Sequence, residues 1–119
     1  MAPHNTNIRG AEARLLTIPD PGDAGSISAG SRMVTHIGLV TAAPETRTLL
    51  DPTSPGQQLT ISFKTDGGNA VVTAASSISQ AAETIMTLAD AGDVIQLVAI
   101  EEGTSLEWRV IGNDGVALS

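Results

Sequence analysis

The chain reads as an all-β protein, a compact sandwich or barrel-like domain of about eight or nine short strands. Three observations predict this. Branched apolar residues come in short runs, not at helical spacing. Turn-forming Gly, Pro, Asn and Asp recur every ~8–12 residues, as they do between the strands of sandwiches. One run, QLTISFKT (58–65), alternates cleanly: Leu59, Ile61 and Phe63 face one way, and Thr60, Ser62 and Lys64 the other. A period of two marks a strand with one buried face.

The elements follow in order. Residues 1–11 are polar and aperiodic and read as a flexible N-terminal arm; residues 12–119 read as a single β-rich domain. EARLLTI (12–18) fits a first strand. PDPGDAGSISAG (19–30) reads as a loop full of turn signals. RMVTHIGLVT (32–41) is a β-branched strand, AAPE (42–45) a turn, and TRTLLD (46–51) a short strand closed by PTSPGQ (52–57). After 58–65, DGGN (66–69) predicts a hairpin returning along AVVTA (70–74), since Gly67 and Gly68 suit tight turns. SSISQAAE (76–83) pairs Ser77 with Gln80 as a capping box ahead of Ala81, Ala82 and Glu83, which predicts a helical turn or two. TIMTLA (84–89) is a strand and DAGD (90–93) a turn. VIQLVAIE (94–101) is the most hydrophobic strand, followed by the hairpin EGTS (102–105) and LEWRVIG (106–112). NDG (113–115) turns the chain into VALS (116–119).

The run 94–101 is apolar on both sides. Ile95, Leu97 and Ala99 form one face, and Val94, Val98 and Ile100 form most of the other, around Gln96. A strand covered on both faces has this pattern. The second cover is either the interior of the same chain or another subunit. We expect a subunit, in which case Leu97→Asp releases monomers.

Composition removes several functions. Of 119 residues, 16% are charged and 41% hydrophobic, yet only Phe63 and Trp108 are aromatic. Six Lys and Arg stand scattered against thirteen Asp and Glu, for a net charge of −7, so no basic patch answers a phosphate backbone. The absence of cysteine removes disulfides, thiol catalysis and thiolate zinc sites. The start MAPHNTNIRG has no apolar core of a signal peptide, and no run approaches the ~20 residues that span a bilayer, so a soluble protein made in a cytoplasm is expected. His4 and His36 are too isolated for a metal site. GSISAG (25–30) is not a nucleophile elbow, and no phosphate-binding glycine motif is present. Glu101, Glu102 and Glu107 gather at a hairpin end, where solvated carboxylates are expected rather than a glycosidase pair. Asp66 and Asp114, each ahead of glycine, read as turn aspartates bonded to their own backbone. No cofactor, catalytic group or metal ligand is expected.

Two blocks carry a resemblance. TRTLLDPTSPGQQLTISFKTDGGNAVVTAASSISQ (46–80) contains T-L-x-x-P…G…I-x-F-K…D. TIMTLADAGDVIQLVAIEEGTSLEWRVIGNDGVALS (84–119) contains G-D-x-x-x-L-V-A…W-R-V. Over these residues the chain resembles small head-decoration (cement) proteins of tailed bacteriophages, with likeness to trimeric tail-fibre and tailspike β-modules. Residues 12–45 carry no such signal. The resemblance implies a homotrimer on the outer surface of the virion capsid that bridges neighbouring capsomers of the major capsid protein and stabilises the head. With no catalytic constellation and no basic patch, no enzymatic activity and no binding of nucleic acid or membrane is expected. An N-terminal arm would grip the capsid, with Ile8, Arg9 and Arg14 as contacts. Ile95, Leu97, Trp108, Val116 and Leu118 would be buried in the core or the oligomer interface. The alternative is a trimeric tail-fibre or receptor-binding module that takes carbohydrate, although two aromatics are few for stacking on sugars.

Overall fold

The structure, a computed structural model, describes residues 16–119. Ten strands follow in order: β1 (Thr17–Ile18), β2 (Gly25–Ile27), β3 (Val34–Val40), β4 (Glu45–Leu49), β5 (Gln58–Thr65), β6 (Ala70–Ala74), β7 (Ile85–Leu88), β8 (Val94–Glu102), β9 (Ser105–Asp114) and β10 (Ala117–Leu118). No helix occurs among the described residues. The predicted arm, with His4, Ile8, Arg9 and Arg14, lies outside them, as does the start of the predicted strand 12–18.

The strands form two five-stranded sheets. Sheet A has the order β1-β3-β5-β8-β9, and sheet B the order β10-β7-β6-β4-β2. Through β6 the chain alternates between sheets. β1, β3 and β5 pair in parallel, and so do β2, β4 and β6. Parallel neighbours need a crossover; here a strand of the opposite sheet serves as that crossover. The first six strands thus wind as three stacked rungs. β7 and β8 then reverse direction against β6 and β5, and β9 and β10 continue antiparallel on β8 and β7.

The core lies between the sheets. Across sheet A, Ile18, Ile37, Ile61 and Ile95 stand in register on one inward row. The next row brings Thr35, Leu59 and Leu97 beside Val110. Leu49, Val72, Met86 and Leu88 meet them from sheet B, all at 0% exposure. Each aliphatic side chain so enclosed contributes about 1.5–3 kcal/mol. Trp108 is buried as well, and its Nε1 donates to the Leu50 carbonyl at 2.9 Å, so the indole meets its one polar need inside the chain.

Three local expectations are corrected. DGGN does not make a hairpin: β5 belongs to sheet A and β6 to sheet B, so residues 66–69 cross between sheets. The glycine signal is real but serves close approach. A Cβ on Gly67 would strike the Thr41 carbonyl oxygen and the Ala42 backbone, because this crossing stacks on the one before it. GSISAG is not all loop. Gly25–Ile27 forms β2 through parallel pairing with β4, and Ile27 is buried. Residues 76–83 are not helical. Ala82 takes φ +63°, which no helix interior holds, and the local side-chain bond comes from Ser79, not Ser77: its Oγ accepts from Glu83 N–H at 3.2 Å and closes a turn.

Candidate interaction surface

Sheet A holds the longest strands described, β3, β5, β8 and β9, and their outward side chains form one continuous face. β3 presents Val34, His36, Gly38 and Val40; β5 presents Gln58, Thr60, Ser62 and Lys64; β8 presents Val94, Gln96, Val98 and Ile100. In register, Val34, Gln58, Val98 and Arg109 make one row, and Thr17, His36, Thr60, Gln96 and Gly112 the next. Val94, Val98 and Ile100 are only half-buried, so among the described residues just one face of β8 is closed. Val34 and Val40 stand about half exposed. The charges on this face cancel: Lys64 and Arg109 against Glu107 and Asp114. The remaining described carboxylates sit at crossings, turns and the tip of the β8–β9 hairpin.

Most of the chemistry-bearing side chains are structural. His36 Nε2 lies 2.9 Å from Ser62 Oγ on the open face. Among the described residues its side-chain partner is this hydroxyl and not a carboxylate of the kind that orients a general base. At the hairpin, Arg109 Nη2 stands 3.6 Å from both Glu102 and Glu107; sequence reasoning saw the three carboxylates but not the cation between them. Asp66 does accept from Gly68 N–H. At 113–116 it is Asn113, not Asp114, that closes the turn, accepting from Val116 N–H and donating to the Val116 carbonyl. Among the described residues no group of three or more His, Asp or Glu is placed to hold a metal ion, and no helix is long and apolar enough to cross a membrane.

Two buried polar side chains tie the rungs together, and sequence patterning found neither. Arg47 points inward from β4 with 1% exposure. Its Nε and Nη2 donate to the two carboxylate oxygens of Asp20 at 2.7 and 2.8 Å, and Nη2 also reaches Glu45 and the Val40 carbonyl. Asp20 in turn accepts from the Val40 and Gly22 N–H groups. Burial works to raise the Asp20 carboxyl. The bond and charge of Arg47 and the two backbone donors outweigh it and hold the pKa below the ordinary carboxylate value. The hydrogen bond to Asp20 raises Arg47, burial opposes this, and Glu45 adds to the rise. At the other end of the rungs, Gln57 is fully buried. Its Oε1 accepts from Thr53 and Ser54 N–H, and its Nε2 donates to the Gly30 and Arg32 carbonyls. A regular alternation of apolar residues leaves no mark of such positions; the partners are non-local.

Ile95 and Leu97 are fully enclosed and Trp108 and Val116 are buried, while Leu118 packs half-buried on the core from β10. The chain's own two sheets supply that cover. No protein-family model matches the chain, and no curated protein matches its sequence.

Proposed function

We propose that this chain is a virion structural protein, a decoration protein that trimerises on the outside of a phage head and bridges neighbouring copies of the major capsid protein. The observation that carries the reading is the outer face of sheet A, whose middle, Val34, Gln58, Thr60, Ser62, Val94, Gln96 and Val98, mixes valine with neutral polar side chains and holds no Asp, Glu, Lys or Arg. Depletion of charge at the centre with a polar rim is the composition of a protein–protein interface. The resemblance over 46–80 and 84–119 supports the same reading. The action is mechanical. A trimer that binds only the assembled shell stabilises it by mass action against internal pressure. The charge of −7 keeps free copies soluble.

The test is to measure the mass of the purified protein and its binding to expanded heads that lack it. A trimer that binds such heads and raises the temperature at which they open is expected. A stable monomer that ignores them overturns the reading. Removal of residues 1–11 is expected to leave the oligomer intact and weaken head binding.

A second reading, a trimeric tail-fibre or receptor-binding module, draws on the rung stacking of β1 to β6, a geometry suited to elongated shafts. Binding to a glycan array would favour it.

A further inference from the structure

We propose that copies of this chain join through a knob and a recess created by one β-bulge: Ile111 of one copy seats in the recess formed by Val94, Gln96, Gly112, Asn113 and Asp114 of another. The inference rests on the self-association proposed above and names the contact that carries it. β8 and β9 pair in step from Glu102 with Ser105 to Leu97 with Val110; the register then shifts and Gln96 meets Gly112, which leaves Ile111 as the extra residue. A bulge expels its extra residue from the ladder and bends the strand. Ile111 is accordingly 57% exposed, the most exposed of the large hydrophobic side chains described.

The recess arises from the same irregularity. Gly112 offers no side chain opposite Gln96; a Cβ there would stand 3.3 Å from Gln96 Oε1. The gap is lined by Val94 and Gln96 from β8 and by Gly112, Asn113 and Asp114 from β9. Ile111 projects from the strand that borders the recess, so one copy displays both halves of a contact.

Charge selects a second copy as the occupant. Two chains of −7 repel across most of their surfaces. The outer face of sheet A is balanced, with Lys64 and Arg109 against Glu107 and Asp114, so it is where two copies repel least. Arg109 lies two positions before Ile111, and Asp114 walls the recess. Insertion of Ile111 brings the Arg109 of one copy, which also stands 3.6 Å from Glu102 and Glu107 of its own chain, toward the Asp114 of the other. An anionic partner such as nucleic acid gains nothing from this arrangement.

The chain has no cysteine, which gives a clean cross-linking test. One preparation carries Ile111→Cys and the other Val94→Cys; they are mixed, allowed to exchange and oxidised. A disulfide between the two chains is expected on a non-reducing gel. Its absence, with the oligomer intact, overturns the contact. Independently, Ile111→Asp is expected to raise the concentration for half-association at least tenfold in sedimentation, with unchanged circular dichroism and Trp108 emission. An oligomer that persists in Ile111→Asp also overturns the contact but leaves self-association standing. A wild-type chain that is monomeric at every concentration removes both.

Discussion

Arg47 is an ion buried beside a largely apolar core. Its guanidinium is worth keeping only because Asp20, Glu45 and the Val40 carbonyl surround it. Removing one partner of a buried pair leaves an uncompensated charge and costs about 3–5 kcal/mol, whereas replacing the pair with apolar groups is often neutral. Asp20→Ala is therefore expected to destabilise the fold by about 3 kcal/mol in urea denaturation, and Asp20→Ala with Arg47→Met by less than Asp20→Ala alone. The pH dependence follows from Asp20. Its folded pKa is depressed, so its contribution is fully present above the unfolded value near ~3.9 and is lost as pH falls through the folded value. Acid titration monitored by Trp108 fluorescence is expected to show unfolding below about pH 4, with a shallower slope in Asp20→Asn. Gln57 makes the matching argument without charge. Gln57→Glu is expected to turn a donor toward the Gly30 and Arg32 carbonyls into an acceptor and to lower stability by about 2 kcal/mol or more at neutral pH. Partial recovery on acidification, as the new carboxyl regains a proton to donate, is the distinguishing result.

At the scale of elements, most strands and the β8–β9 hairpin were legible, and the crossings between the sheets were not. QLTISFKT declares itself because its one-sided burial imposes a period of two, and Leu59, Ile61 and Phe63 are indeed the buried set. β2 is three residues of Gly-Ser-Ile, too short for any period, and exists because β4 holds it by parallel pairing. The Gly67-Gly68 pair was visible, but a glycine that permits a tight turn and one that permits backbone to approach backbone are the same letter. The segment 76–83 has helix formers and a capping pattern. Propensity lost there to tertiary pairing: Val110 N–H donates to the Ile78 carbonyl, which ties the segment along the edge of β9. Gly67→Ala tests which role of glycine is in force. Gly67 does not take a positive φ, so with no neighbours alanine would cost little there. Here its methyl meets the Thr41 carbonyl and the Ala42 backbone, so a loss of about 1–3 kcal/mol is expected in thermal or urea unfolding.

For the whole molecule, the question raised by a strand apolar on both sides is answered unequally on its two faces. The inner face of β8 belongs to the chain's own core: Leu97 stands between Leu59 and Val110 with no exposure at all. The outer face is only half covered. Sequence alone expected a subunit over one face without saying which, and with Leu97 on that face Leu97→Asp would release folded or partly folded monomers. With Leu97 inside the sandwich, that substitution buries a carboxylate among aliphatic side chains. The cost of several kcal/mol is comparable to the entire stability of a domain of this size. Leu97→Asp is thus expected to unfold the chain, with loss of β-sheet circular dichroism and a red shift of Trp108 emission. Val98→Asp, one residue away on the outer face, is expected to keep both signals and alter only what the face binds. If the two variants behave alike, the division of β8 into a core face and a partner face fails, and the outer surface of sheet A loses its claim to be where this protein meets its neighbours.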